Sequence, residues 1–191
     1  MAAPRIFVTR AIPEASLARL ARELPLPVVA KETGCGISRR VGERLLAAGI
    51  RTADVSGAGG TSWVKVETLR TGGAAREIGE QFSDWGIPTA AALLGLRGLG
   101  LELIASGGIR TGLDVAKAVA LGARAGGVAL PVFRALQRGG RQGAAEFIEG
   151  LISGLRTAMV LTGSRDLDAL RRAPVVTGAR LTAWVKAEGG A

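Results

Sequence analysis

The chain has no histidine and a single cysteine, Cys35, in 191 residues. Without imidazole there is no Ser-His or Cys-His nucleophilic pair and none of the common imidazole metal sites. Proton transfer must therefore fall to carboxylates, lysine, the thiol or a bound cofactor. A lone cysteine excludes an internal disulfide framework and a multi-cysteine metal centre. Aromatic residues make up 4% of the chain and do not interleave with basic ones as a nucleic-acid stacking platform would. No apolar run approaches the roughly 20 residues that span a bilayer. The opening residues, MAAPRIFVTR, lack the basic start, long apolar centre and small-residue cleavage site of a signal peptide, so the cytoplasm is the expected location.

What is present is a chain 48% hydrophobic, long enough to bury one real core. The net charge of +9 is mostly arginine, since lysine occurs only at 31, 65, 117 and 186. The arginines are scattered over expected helices, as in Arg39-Arg40, Arg76 and Arg171-Arg172, which reads as solvated helix faces rather than a nucleic-acid footprint. The same balance suits a small anionic ligand.

Short β-like runs alternate with helical segments. RIFVTR (5–10) reads as a strand, followed by a helix to Glu23. PLPVVAKE reads as a second strand, and a helix from about Ser38 carries Val41, Leu45 and Leu46 on one face up to Gly49. RTADVSG, LELIAS (101–106) and AGGVALP supply three more strands, with a helix over Thr111–Leu121 between the last two. After Pro131 the chain turns mainly helical, GAAEFIEGLISGLRTAMVLTG being the longest candidate. Repeated strand, glycine turn and helix mark parallel βα units, in a barrel or a doubly wound sheet. A complete (βα)₈ barrel takes about 250 residues, and only five strands can be counted. The expectation is an α/β partial TIM barrel, one domain over 1–191, with helices at its C-terminal end.

Two strand ends carry glycine clusters, DVSGAGGTSW (54–63) and ASGGIRTG (105–112). Glycine lets successive N–H groups converge on phosphate oxygens, and a helix start adds donors and a favourable dipole. Tight βα turns would also need glycine, but two such loops at the same end of parallel strands favour a phosphate cradle. A further strand ends in KETGCGIS (31–38), placing Lys31 and Glu32 where charge serves either solvent or a site.

These motifs, with WGIPTA (85–90) and IASGGIRTGLDVAKAVALGA (104–123), resemble the type 2 isopentenyl diphosphate isomerases. That family consists of FMN-dependent TIM barrels that interconvert isopentenyl and dimethylallyl diphosphate. The tail LRTAMVLTGSRDLDALRRAPVV (155–176) is similar to its C-terminal helices. The resemblance covers 24–191 and implies the barrel's C-terminal half. It places Lys31 beside the flavin ring, where it can stabilise charge near N1 of reduced FMN. It makes Ser56 and Thr61 flavin contacts, and gives Gly107, Gly108 and Arg110 to the phosphate loop. Ala129 and Leu130 become the last phosphate-side pair, acting through backbone N–H groups. Related hydroxy acid oxidases place an arginine there that this chain lacks.

The resemblance also implies reduced FMN, Mg²⁺ and NADPH as cofactors of the complete enzyme and isopentenyl diphosphate as substrate, in isoprenoid biosynthesis. The family's first half, with its histidine, asparagine and Mg²⁺-holding Gln-Glu pair, has no match here, so no metal ligand is assigned. Residues 1–23 instead resemble the start of a 2-hydroxyacid (glyoxylate) reductase. A truncated or chimeric gene product is the expectation, inactive as this chain alone. The alternatives are a non-catalytic FMN-binding half-barrel or an α-hydroxy acid oxidase type of oxidoreductase. An open set of strands predicts a homo-oligomer. Asp54 and Asp114 are expected in strand-end and helix-start hydrogen bonds, Cys35 as small buried filler, and Trp63 and Trp85 in packing. Glu32 could equally pair with a base, cap a turn or touch the cofactor.

Overall fold

A computed structural model of the chain describes residues 14–24 and 26–187; the strand expected at 5–10 lies outside them. The helix expected up to Glu23 is α1 (Glu14–Glu23). The strand in PLPVVAKE narrows to β1 (Val29–Lys31), and α2 (Arg39–Ala47) follows, its Val41 N–H donating to the Ser38 hydroxyl at the N-cap. β2 (Thr52–Asp54) leads to α3 (Trp63–Arg70), α4 (Gly73–Gln81) and α5 (Thr89–Leu96). β3 (Glu102–Ala105) precedes α6 (Gly112–Ala120), and β4 is only Ala125–Gly126, the rest of AGGVALP being a loop and helix start. The chain ends in α7 (Leu130–Leu161), α8 (Leu167–Arg171) and α9 (Ala179–Ala187).

Among the described residues the four strands are all parallel and lie in the order β1-β2-β3-β4. A doubly wound sheet reverses its strand order at a switch point; here sequence order is spatial order. That is the winding of a TIM-type barrel, and the fold is an α/β partial barrel with additional C-terminal helices. Among the described residues β1 and β4 each pair on one side only.

Register decides what each sheet face sees. Ala30, Ala53 and Leu103 are aligned across three strands, and Ala53, Val55, Leu103 and Ala105 are at most 3% exposed beneath α5 and α6. Val29, Thr52 and Glu102 occupy the alternate positions, and Val29 is 47% exposed. One face is therefore a core and the other, the inner wall of a closed barrel, is open.

Helix α5 explains why this stretch is hard to read as a helix. TAAALLGL is apolar all round, and Ala91, Ala92, Leu93, Gly95 and Leu96 are all buried, so no polar face marks its period. Its packing stabilises by about 25 cal/mol per Å² of apolar surface removed from water. A second cluster joins Ala116 and Val119 of α6 to Ala158 of α7 and Leu170 of α8. There Gly112 lies directly on α7: a Cβ would overlap the Leu151 carbonyl and the Leu155 nitrogen. α7 is two helices joined at a kink, where Gly139 and Gly140 have non-helical dihedrals.

Candidate functional site

Because all four strands run the same way, their carboxyl ends and the loops that follow gather at one end of the sheet. β1 delivers Lys31 there. Its Nζ donates to Asp54 Oδ2 at 2.5 Å and to Ser106 Oγ at 3.4 Å. Asp54, at the end of β2, also accepts the Ser106 hydroxyl at 2.6 Å and the Ser56 N–H at 3.2 Å on Oδ1. A carboxylate only 8% exposed thus has a partner for each oxygen, as a buried charge requires. Three successive strands are tied together by one lysine, one aspartate and one serine.

Glu32 does not face the cavity. Its Oε2 accepts the N–H groups of Gly34, Cys35 and Gly36 at 2.5, 2.6 and 3.1 Å, folding KETGCGIS into a turn around the carboxylate. Cys35 in that turn is half-buried. Burial first, and the Glu32 carboxylate second, push its thiol above the ordinary range, the reverse of an activated thiol.

WGIPT runs between this turn and the first glycine loop. The Ile87 N–H donates to the Cys35 carbonyl at 2.7 Å and Ala58 N–H donates to the Ile87 carbonyl at 2.9 Å. The Thr89 hydroxyl then reaches the carbonyls of Ser106 and Gly107, at 3.1 and 2.6 Å, pinning the second loop. The two loops press together: a Cβ on Gly107 would overlap the Gly57 carbonyl, and one on Gly108 would come within 2.9 Å of the Gly59 carbonyl. Both have positive φ, +92° and +88°, so loop contact alone already requires glycine. The N–H groups of Gly107 and Gly108 meet no acceptor among the described residues.

Arg110 braces the same junction. Its Nη1 donates to the Gly108 carbonyl at 2.7 Å and Nη2 to the Gly59 carbonyl at 2.8 Å. Asp114 at the start of α6 closes a capping box with Thr111 and accepts the Arg110 N–H at 3.1 Å. Partial burial pushes its carboxyl up, but the Thr111 hydroxyl, the Arg110 and Thr111 N–H groups and Lys117 together hold it below the usual range.

Lys31, Ser56, Thr61, Gly107, Gly108, Arg110, Ala129 and Leu130 all line one cavity of about 1020 Å³. Asp54 and Ser106 share it, as do Arg134, Arg138 and Phe147 of α7, which the motifs did not single out. Ala129 is the N-cap of α7 and makes no side-chain cap, so only its backbone serves. Ser56 has φ of +33°, a strained value for a residue with a Cβ, and such strain clusters at functional sites. The packing role expected of the tryptophans needs correction: Trp63 is 54% exposed and borders the cavity, and Trp85 is 67% exposed, edge-on to Phe82 at 5.6 Å. Both sit on the α3–α4 excursion, which buries no hydrophobic side chain beneath it. Among the described residues no three Cys, Asp or Glu side chains converge as metal ligands. No helix among them is long and apolar enough to cross a membrane.

A cavity at the carboxyl ends of consecutive parallel strands, walled by glycine loops and two helix starts, lies at the end where (βα) barrels commonly place their sites. The FMN-dependent dehydrogenase family model matches residues 4–177, and the chain belongs to that family. It is 43% identical over 175 residues to an isopentenyl-diphosphate delta-isomerase of Methanothermobacter thermautotrophicus, covering 91% of this chain and 49% of that protein. The identity is 45% over 177 residues, with 91% and 48% covered, for the enzyme of the same name from Symbiobacterium thermophilum. The chain therefore spans about half the length of the curated relatives it matches. Among solved structures it is similar to mandelate oxidase with (S)-2-phenylpropionate (TM-score 0.61, 27% identity, covering 87% of this chain and 44% of that one). A lactate oxidase of Pediococcus acidilactici gives TM-score 0.63 and 25% identity, with 86% and 40% covered.

Proposed function

We propose that this chain is the phosphate-side half of an FMN-dependent isopentenyl diphosphate isomerase. The single observation that carries the reading is the convergence of Lys31, both glycine loops and the α7 start on one cavity. The residues fit the group: N–H donors without partners at Gly107 and Gly108 suit phosphate oxygens, and an oriented ammonium suits an electron-rich ring. Identity to isomerases at 43–45%, against 25–27% to oxidases of the same fold, supports isomerase over α-hydroxy acid oxidase chemistry.

When bound and reduced, FMN would supply the acid and base of a 1,3-proton shift. The chain's own contribution is to hold and orient. The N–H groups of Gly107, Gly108, Ala129 and Leu130 would take the phosphate, with Ser56 and Thr61 along the flavin. Asp54 and Ser106 fix the Lys31 ammonium, so its positive charge is in place before the ring becomes anionic. NADPH would be the reductant and Mg²⁺ would neutralise the substrate diphosphate, held by groups outside the half matched here. The setting we infer is cytoplasmic, and the open sheet face supports a homo-oligomer.

These 191 residues on their own should not isomerise isopentenyl diphosphate. Positioning substrate over the ring can supply about 7–11 kcal/mol of a barrier, too much for one wall of a site to replace. The test is product formation with reduced FMN and Mg²⁺, with and without a separately expressed N-terminal half of a family enzyme. Turnover only in the mixture is expected; turnover by the chain alone overturns the proposal.

A further inference from the structure

A crossover helix carries the chain from the carboxyl end of one strand back to the amino end of the next, so helix C-termini gather where the strands begin. Three of them, the C-caps Arg97 of α5, Leu121 of α6 and Arg172 of α8, meet around a second cavity of about 310 Å³ beside the start of β3. Lys31 and the glycine loops lie at the other end of the sheet. Leu96, Leu101 and Leu121 give the second cavity an apolar wall, and Arg97, Arg171 and Arg172 give it a basic one. No carboxylate among the described residues lines it.

The decisive group is Arg171. Its Nη1 pairs with Asp168, yet its Nε is the one buried side-chain nitrogen or oxygen among the described residues with no hydrogen-bond partner. An unmet buried donor carries its full desolvation penalty, and native structures rarely leave one. Arg97 has no hydrogen bond or ion pair among the described residues. Arg172 has only the field of Asp166, a carboxylate already bonded to the Ala169 N–H and to Arg165. Helix ends attract guanidinium groups, each end being equivalent to about half a negative charge. That accounts for an arginine at a C-cap but not for the Nε, to which no carbonyl bonds. The last carbonyls of α6 are already taken by the Leu121, Gly122 and Ala123 N–H groups. Three guanidiniums against Asp168 and three such ends still leave the cavity positive.

We propose that this cavity binds a small phosphate ester with an aliphatic body, its phosphate on Arg97, Arg171 and Arg172 and its chain on the leucines. Planar guanidinium forks match phosphate oxygens. The site is independent of the flavin reading, because it shares no residue with the glycine-loop cavity. The probes are n-butyl phosphate, inorganic phosphate, butyrate and n-butanol, titrated calorimetrically into the full chain while the arginine Nε–H resonances are followed by NMR. Butyl phosphate should bind most tightly, inorganic phosphate and butyrate more weakly, and butanol not at all. Arg171→Lys keeps the charge and removes the Nε donor, and should lose about tenfold in butyl phosphate affinity. Arg97→Gln, at an exposed residue with no bond to lose, should do the same without lowering the urea midpoint. The Nε–H resonance that is missing in Arg171→Lys should shift when butyl phosphate is added to the parent. If Arg171→Lys does not fold, Arg97→Gln and the shift of a buried Nε–H decide the matter. Binding that survives Arg97→Gln unchanged belongs to the glycine-loop cavity and overturns the proposal. So does the lack of saturable binding by any probe at millimolar concentration, which would leave water as the Nε partner. Butyrate or butanol binding as tightly as butyl phosphate overturns the phosphate, and inorganic phosphate doing so overturns the aliphatic body.

Discussion

Lys31 is 57% exposed along its side chain while its partner Asp54 is 11% exposed. Removing the ammonium leaves Asp54 its bonds from Ser56 and Ser106 on Oδ1 but takes the one partner that the buried Oδ2 has among the described residues, a loss of about 1–3 kcal/mol. Lys31→Ala should therefore unfold at a lower urea midpoint than the parent while remaining folded in buffer. It should weaken reduced FMN by about tenfold more than oxidised FMN, since a fixed cation interacts mainly with the ring that carries charge. Equal loss for the two redox forms in fluorescence and anaerobic titrations would remove Lys31 from the ring. Cys35 offers a second check at this scale. With burial and Glu32 both raising its thiol, alkylation by iodoacetamide at pH 7 should be slower than for a free thiol. Glu32→Gln, which keeps an acceptor for the turn, should speed it by less than about tenfold, burial being the larger cause.

Two elements have loads that can be read separately. At the start of α6, Asp114 has its carboxyl held below the ordinary range. A depressed carboxylate stabilises above its unfolded value and loses that contribution as pH falls through the folded one. The stability gap between the parent and Asp114→Asn should be constant at neutral pH and shrink on acidification below about 4, near the unfolded aspartate value; a gap that persists to pH 2 would contradict this. Where α6 meets α7, Gly112→Ala places a methyl on the α7 backbone. The expected cost is about 1–3 kcal/mol, read as a lower denaturation midpoint, whereas Gly150→Ala, with nothing within 4 Å, should be neutral or stabilising by a few tenths to about 1 kcal/mol. Much of this level is legible in sequence: α2 and α6 have polar caps and stops at both ends. Helices α3, α4 and α5 escape it, α5 because it is apolar on every side, and α3 and α4 because they pack on each other more than on the sheet.

At the scale of the whole molecule, the dominant feature is a four-stranded sheet with one covered face and, among the described residues, two free edges. Parallel sheets are stable when both faces are covered, and exposed edges pair with other chains. At micromolar concentration the chain should sediment as a dimer or larger species. The association should weaken when Val29, 47% exposed on the open face, is replaced by lysine. A compact monomer at that concentration would contradict the expectation.

The sequence by itself determined the alternation of strand and helix, the two glycine loops, and the identity of the residues at the strand ends. Local chemistry suffices for these, because caps, turns and periodicity act within a few residues. Only the tertiary structure decided between a barrel and a doubly wound sheet, since both have the same local pattern and differ in which strand lies beside which. It alone joined Lys31 to Asp54 and Ser106, 23 and 75 residues away, and turned Glu32 into the anchor of its own loop. It also brought Arg134, Arg138 and Phe147 to the cavity wall, Phe147 because it follows the α7 kink, which no motif marks.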